Sequence, residues 1–374
     1  MTRIYFDHMA STRIDPAVRD LMFKIYQDYP GNPSSEHIYG NQLKQLISKA
    51  SQQIKTVVNG NDYNIVWTSG ATEAINLAVL GSVSFYGSDR STVLTFSTEH
   101  QATLRVFKQL EQKGYQTKVL GVDKSGLIDQ EQLFTEVSND TILVSICHVN
   151  NEIGTIQDIN NLVQKLQKYG CLVHIDAAQT IGKTELDLQK CPADYISFSG
   201  HKFYGPQGIG ALLVRKNRHL HPLLFGGQQQ DYRPGTLPAA LICGMGLAAE
   251  LCNQDANIQK WQLELLQLFE DIGGVTVHGS LESRVAHNLN IHIAGVNSET
   301  FKLLNSNIAL SSGSACHAQS PEPSHVLLAL GYEREHAANS IRISLGRDLT
   351  GADLQHFKQQ FIDSVCHIRR LSGC

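Results

Sequence analysis

Residues 194–216 read DYISFSGHKFYGPQGIGALLVRK. The runs DYISF and ALLVRK have the composition of β-strands, and a polar, glycine-containing turn separates them. The turn carries Lys202 just after the first strand, and Gly200 and Gly205 permit a tight bend there. Around this stretch, residues 60–215 alternate short apolar runs with amphipathic stretches, a pattern typical of alternating strands and helices.

This alternation predicts a mainly parallel sheet of seven strands. The strand-like runs are NIVWTSG, STVLTFS, TKVLGV, ILVSICHV, CLVHIDA, DYISFSG and ALLVRK. The helix-like stretches between them are ATEAINLAVLGSV, QATLRVFKQLEQKG and INNLVQKLQKYG. We therefore expect an α/β large domain with helices on both faces of the sheet, and a ligand site beyond the carboxyl ends of the strands.

The rest of the chain predicts a second, smaller α+β domain. A long amphipathic helix, NIQKWQLELLQLFEDIGG, precedes the strand-like VTVHG and HNLNIHIAG, and DLQHFKQQFIDSVCHIRRL reads as a C-terminal helix. The sequence ICGMGLAAE matches a dinucleotide fingerprint by letter, but its surroundings read as mid-helix. We interpret its glycines as a sign of close helix packing.

Composition excludes several classes of protein. The chain has 374 residues, 42% of them hydrophobic, and a net charge of −4, which argues against direct nucleic acid binding. We expect no membrane span, no secretory signal and a cytoplasmic location. The eight cysteines are scattered without a CxxC pair, so we expect reduced thiols and no metal site.

Polar side chains at two strand ends suit a cofactor pocket. A buried lysine at the position of Lys202 can form a Schiff base, although a lone lysine is more often a surface residue. Asp176 in HIDAAQT suits a protonated pyridine nitrogen, and a structural ion pair is the alternative.

Three further segments offer matching groups. Ala71 and Thr72 in TSGATEAIN open a helix whose N-terminus can cradle a phosphate, unless it is an ordinary N-cap. His100 in STEHQAT is an aromatic ring suited to stacking and to proton transfer. Asn151 in HVNNEIG can bond a carboxylate or a phenolic oxygen, and turn-stabilising hydrogen bonds are the alternative for both segments.

Cys316 lies in LSSGSACHAQSPEPSHV, a segment of small and polar residues typical of a loop. We expect an accessible, nucleophilic thiol there. Cys147, Cys171 and Cys243 lie in apolar runs, where a cysteine is usually a small buried hydrophobe.

These segments, in this order, resemble the cysteine desulfurases, the class V branch of fold-type I pyridoxal-phosphate enzymes (NifS/IscS-like). The resemblance runs from YFDHMAST to SIRISLGRDLT, and SGHKFYGPQGIGAL and SSGSAC within one chain are highly specific for it. The first resembles the family's cofactor-lysine motif, and the second resembles its mobile sulfur-accepting loop, as found in the long-loop group. It implies a fold-type I PLP-dependent transferase. It places the large domain at 14–255 and the small domain at 1–13 and 256–374, with the cysteine loop at about 311–325.

The resemblance also implies roles for individual residues. Lys202, His100 and Cys316 are implied to be catalytic, with Lys202 as the Schiff-base lysine. Asp176 is implied to face the pyridine nitrogen, Gln179 the phenolic oxygen, and Thr236 the phosphate of a partner subunit in a homodimer. The implied cofactor contacts are Lys202, Asp176, Gln179, His100, Ala71, Thr72, Ser199, His201, Thr236 and Asn151. Asn151 and Arg342 are implied to clamp the substrate carboxylate.

The implied reaction converts L-cysteine to L-alanine and places the sulfur on Cys316 as a persulfide. An acceptor protein for iron–sulfur assembly, tRNA thiolation or DNA phosphorothioation then receives it. Alternatives are a selenocysteine or cysteine lyase, an aminotransferase, or a silent assembly subunit. The chain departs from the family pattern at His8 and Met9 and between Gly227 and Arg233. It also stops at Cys374, which puts the usual scaffold partner in doubt.

Overall fold

A computed structural model describes residues 3–227, 232–252, 257–312 and 322–372. Among these residues, seven strands form one sheet in the order β2-β8-β7-β6-β5-β3-β4, and only β8 runs antiparallel to its neighbours. The strands are β2 (Tyr63–Thr68), β3 (Thr92–Phe96), β4 (Gln116–Leu120), β5 (Thr141–Cys147), β6 (Leu172–Asp176), β7 (Tyr195–Ser199) and β8 (Gly210–Arg215). Each corresponds to one of the seven predicted runs, so that prediction is confirmed.

Helices cover both faces of this sheet. They are α1 (Pro16–Asp28), α2 (Ile38–Val57), α3 (Ala71–Tyr86), α4 (Gln101–Gln112), α5 (Gln130–Glu136), α6 (Ile159–Leu166) and α7 (Ala239–Glu250). Alternate strand residues point to opposite faces. Val93 accordingly packs with α3 and α4 in one buried cluster, while Leu94 packs in another with α6 and α7.

The glycines of ICGMGLAAE lie inside α7, where they allow close approach of neighbouring helices. A Cβ on Gly246 would come within 2.6 Å of the Ala50 Cα atom on α2, and one on Gly244 within 2.8 Å of the Met22 sulfur on α1. The helix-packing interpretation is confirmed, since these glycines do not follow a strand.

A second sheet is antiparallel and has the order β12-β13-β10-β9 within the described part of the chain. Its strands are β9 (Val275–Val277), β10 (Asn288–Ile293), β12 (Ser311–Ser312) and β13 (Ser340–Ser344), and a separate parallel pair joins β1 (Ile4–Tyr5) to β11 (Ile308–Ala309). The accompanying helices are α8 (Ile258–Ile272), α9 (Ser298–Leu304), α10 (His325–Ala329), α11 (Arg334–Ala338) and α12 (Gly351–Ser372). Phe269, Phe301 and Phe361 anchor the buried cluster between sheet and helices. The domain boundaries stay a prediction.

No helix in the described ranges is long and apolar enough to cross a membrane.

Candidate active site

A cavity of about 580 Å³ lies at the carboxyl ends of the parallel strands. Ten of the twelve predicted site residues line it, namely Ala71, Thr72, His100, Asn151, Asp176, Gln179, Ser199, His201, Lys202 and Arg342. Their convergence follows from topology, because parallel strands bring their C-terminal ends to one edge of a sheet. Their individual chemical roles stay predictions.

Lys202 ends a short 3₁₀ turn that follows β7. Its Nζ donates to the carbonyl oxygens of Met9 at 3.0 Å and Ala10 at 2.8 Å. The amine is thus held by the N-terminal segment, at the wall of the cavity, and is directed by backbone acceptors.

Asp176 is the last residue of β6 and is buried. Its Oδ1 accepts the Ala178 N–H at 3.0 Å. Burial raises the pKa of this carboxyl, while the Ala178 hydrogen bond and the nearby charges of His100 and Lys202 lower it. A buried carboxylate gains most from a cationic partner, so the site favours a ligand with a protonated nitrogen.

The N-terminus of α3 faces the same cavity. Gly70 precedes the helix and caps it with no side-chain hydrogen bond. The first N–H groups of a helix have no partner within the helix, and they attract anions. A Cβ on Gly70 would project into the open space beside Ser199, where it would meet only the Ser199 Oγ, at 3.8 Å.

His201 completes this end of the cavity. Its Nδ1 lies 3.2 Å from the Ser11 Oγ. Burial, together with the charges of Lys202 and Lys183, lowers the pKa of His201 to about 4. The ring is therefore neutral at pH 7 and offers an N–H donor to an anion.

His100 and Gln179 also line the cavity. His100 is the N-cap of α4, and its Nδ1 accepts the Ala102 N–H at 3.1 Å. Gln179 is buried, and its Nε2 donates to the Met9 carbonyl at 2.8 Å. Its Oε1 has no hydrogen-bond partner among the described residues. A polar ligand bound in the cavity would supply the missing donor.

The second sheet contributes Arg342, whose side chain is only 1% exposed. It donates from Nη1 to the Asn151 carbonyl at 2.9 Å and from Nη2 to the Asp7 carboxylate at 2.8 Å. Its Nε has no partner in the described ranges. Such a buried guanidinium, in a cavity that Asn151 also lines, suits recognition of a carboxylate.

Two predicted residues are not brought to the cavity. Thr236 is exposed and does not line it. Its segment reaches α3 through Arg233, whose Nε donates to the Glu73 carboxylate at 2.9 Å. Cys316 lies outside the described residues.

The segments on either side of Cys316 do reach the cavity wall. Ser311 of β12 pairs with Arg342 of β13. On the other side, the Ser324 hydroxyl donates to the Glu152 carboxyl, and the His325 ring bonds to the Glu99 carbonyl at 2.9 Å. His325, Glu152 and Arg342 all line the cavity.

Three features of the site were missed in the sequence. The Met9 and Ala10 carbonyls are backbone groups without a side-chain signature. Glu152 lines the cavity, and burial raises its pKa to about 7 although Ser324 and Arg342 lower it. Cys147 was expected to be a small buried hydrophobe, yet it lines the cavity. Burial and the carboxyls of Asp176 and Glu99 raise the pKa of its thiol well above the usual range.

These groups fit pyridoxal phosphate, the cofactor that the resemblance implies. The buried Asp176 carboxyl suits the pyridine nitrogen, and the open space beside Gly70 at the start of α3 suits the phosphate. Gln179, whose Oε1 has no partner among the described residues, lines the same cavity. Among the described residues, no group of three or more histidine, cysteine or acidic side chains could hold a metal ion.

Comparison with known proteins agrees with the family that the resemblance implies. A family profile described as aminotransferase class-V matches residues 4–357. The chain is 41% identical over 380 residues to a cysteine desulfurase IscS of Vibrio campbellii, covering 99% of this chain and 94% of that protein.

Solved structures agree on the fold. A NifS-like protein superposes with a TM-score of 0.90 at 32% identity, covering 98% of this chain and all of the other. A structure described as SspA in complex with cysteine gives a TM-score of 0.83 at 34% identity, covering 92% of this chain and 99% of that one. The predicted fold-type I class is confirmed.

Proposed function

The chain belongs to the aminotransferase class-V family, and on that basis we propose that it is a pyridoxal-phosphate-dependent cysteine desulfurase. One observation carries the proposal. The amine of Lys202, the carboxyl of Asp176, the N-terminus of α3 and the guanidinium of Arg342 all line one cavity, to whose wall both flanks of the Cys316 segment are attached.

The proposed cofactor contacts follow from the chemistry of each group. Asp176 would hold the ring nitrogen, and Gln179 the phenolic oxygen. His100 would stack on the ring, with Asn151 nearby. The phosphate would be held by Ala71, Thr72, Ser199 and His201. When bound, the cofactor supplies an electron sink that makes the substrate Cα proton acidic.

The protein's own groups then act on L-cysteine. Arg342 and Asn151 would bind its carboxylate, which fixes the orientation of the Cα–H bond. Lys202 Nζ would accept the Cα proton, and His100 would serve in a second proton transfer.

The Cys316 thiolate would attack the substrate sulfur. The new S–S bond would form as the substrate C–S bond breaks, and L-alanine would leave after protonation. Persulfide sulfur would pass to an acceptor protein, for iron–sulfur assembly, tRNA thiolation or DNA phosphorothioation. We place the enzyme in the cytoplasm.

Product analysis tests the proposed function. The holoenzyme, incubated with L-cysteine and a dithiol reductant, should release alanine and sulfide in equal amounts. L-Serine serves as the control, because its hydroxyl offers no sulfur to Cys316. Pyruvate and ammonia in place of alanine would instead indicate a lyase, and amino-group transfer to a keto acid would indicate an aminotransferase.

We also propose a homodimer in which Thr236 contacts the phosphate of the partner's cofactor. Thr236→Ala should raise the Kd of the cofactor roughly tenfold, the loss expected for one hydrogen bond to a charged group. Titration of the apoprotein with pyridoxal phosphate measures this, and sedimentation should show an intact dimer. Thr135→Ala, an exposed threonine on α5, is the matched control. Equal cofactor affinity in the two variants would contradict the cross-subunit contact.

A further inference from the structure

The N-terminal segment between Asp7 and Ser11 contacts several groups of the proposed site. The Met9 carbonyl accepts from both Lys202 Nζ and Gln179 Nε2, and the Ala10 carbonyl accepts from Lys202 as well. Asp7 pairs with Arg342 at 2.8 Å. The placement of the lysine therefore depends on what fixes this short stretch of backbone.

His8 lies in the middle of the segment, and its ring is 1% exposed. Its Nδ1 is 3.0 Å from the Ser344 carbonyl oxygen, and its Nε2 is 2.6 Å from the Asp348 Oδ1. A carbonyl and a carboxylate only accept hydrogen bonds, so both ring nitrogens must donate. Donation from both nitrogens is the pattern of an imidazolium, which would pair with the carboxylate.

The state of the Asp348 carboxyl fits this pairing. Burial alone would raise the pKa of Asp348, but the hydrogen bond and charge of His8, with Arg13, hold it below its usual range. The ring of Tyr5 lies edge-on to His8, with 5.0 Å between centroids. The other polar or titratable groups that line a small cavity with His8 are Thr12, Lys183, Lys202, Tyr204 and His287. Of the groups named here, Asp348 alone is a carboxylate, so it is the partner for a charged His8 ring.

The ring is also held sterically. A Cβ on Gly346 would lie 2.0 Å from the His8 Cδ2, so the imidazole packs directly on the backbone of the loop that carries Asp348. Next to it, the Met9 N–H donates to the Ser344 Oγ at 3.0 Å. A shift of the His8 ring would therefore move the Met9 carbonyl.

We propose that His8 is a positioning residue, and that its buried imidazolium–carboxylate pair with Asp348 fixes the Met9 and Ala10 carbonyls that direct the amine of Lys202. The proposal rests on the proposed function and deepens it, since it assigns a task to a residue where this chain departs from the family pattern. His8 contacts neither cofactor nor substrate in this assignment and acts through the backbone.

The charge state is tested first, by ¹H–¹⁵N correlation spectra of the histidine rings in the holoenzyme at pH 7.5. Both nitrogens of His8, assigned through the signal lost in His8→Gln, should carry protons. In Asp348→Asn, the amide can donate to a neutral ring, so only one nitrogen should be protonated. A neutral His8 in the unmodified protein would overturn the proposal.

The positioning role is tested by three variants at the two residues. His8→Gln and Asp348→Ala each lose the Nε2 bond, and kcat should fall roughly 10- to 100-fold, as expected for a displacement of about 1 Å at a reacting group. Asp348→Asn keeps a hydrogen bond of the same shape but loses the charge pair, so its kcat should lie between that of Asp348→Ala and that of the unmodified enzyme. Equal kcat for Asp348→Ala and Asp348→Asn would overturn the proposal.

The matched control is His278→Gln. His278 is likewise fully buried and bonded at both ring nitrogens, to Asn290 and His336, and it does not line the cavity. Its kcat should be unchanged, and a fall as large as that of His8→Gln would overturn the proposal. The rate of cofactor capture by apoprotein should follow kcat across the set.

Failure of the proposed function can be distinguished from failure of the role proposed for His8. If the unmodified holoenzyme forms no alanine from cysteine, the desulfurase assignment fails. The ring spectra and the rates of cofactor capture still test the role of His8.

Discussion

Lys202→Ala is expected to yield a colourless protein with at least roughly 10⁴-fold lower alanine formation, the upper range for a positioned general base. The visible absorption of pyridoxal phosphate in such an enzyme depends on its covalent link to a lysine amine. The amine of Lys202 is the one that lines the cavity with Asp176 and the start of α3. Absorption spectra and alanine formation measure the two effects.

A control variant shows whether the result is specific to Lys202. Lys165→Ala removes a partly buried lysine on α6, whose Nζ donates to Gln130 at 2.8 Å. That variant should keep both the visible band and the activity. An unchanged spectrum in Lys202→Ala would remove the lysine from the cofactor site, whereas loss in both variants would indicate a general defect in folding.

The large sheet was predictable because its central strands are buried on both faces. Such strands are continuous apolar runs, as in TILVSIC of β5, and the polar residue that ends each run marks the edge where ligands bind. Lys202, Asp176 and His100 were found in this way. Their order along the chain then carried the family resemblance, which a single lysine or aspartate could not.

The contacts that were not predicted from the sequence involve residues far apart in the chain or backbone groups. His8 bonds to Asp348, which lies 340 residues further along the chain, and no local periodicity links the two. The Met9 and Ala10 carbonyls are backbone groups, and every residue has one. Cys147 ends an apolar strand, so its pattern is that of a core residue, although the cavity reaches it.

The charged groups of the cavity together indicate which kind of ligand it binds. Arg342 is paired with Asp7, and Lys202 is bonded to neutral carbonyls, while the Asp176 carboxyl is buried with a raised pKa. A ligand that brings a cationic ring nitrogen, a phosphate and a carboxylate would find a partner for each group. Pyridoxal phosphate together with an amino acid is such a ligand pair, which is why the site favours this chemistry over a metal-assisted one.

Cys316→Ser is expected to keep the cofactor and to bind cysteine, yet release neither sulfide nor alanine, with a fall of at least roughly 10³-fold. Removal of a catalytic nucleophile has effects of this order or larger. A hydroxyl is a far poorer nucleophile than a thiolate at neutral pH, so the substrate C–S bond stays intact. The visible band should still change on addition of cysteine, which separates binding from sulfur transfer.

Cys366→Ser is the matched control, because Cys366 is an exposed free thiol on α12. Its sulfide release should equal that of the unmodified enzyme. After cysteine treatment, mass spectrometry should find one added sulfur atom on the peptide with Cys316 and none on that with Cys366. Normal sulfide release by Cys316→Ser would exclude this thiol from the reaction and turn attention to Cys147, the thiol that lines the described cavity. The raised pKa of the Cys147 thiol makes it a weak nucleophile, so we expect the persulfide on Cys316.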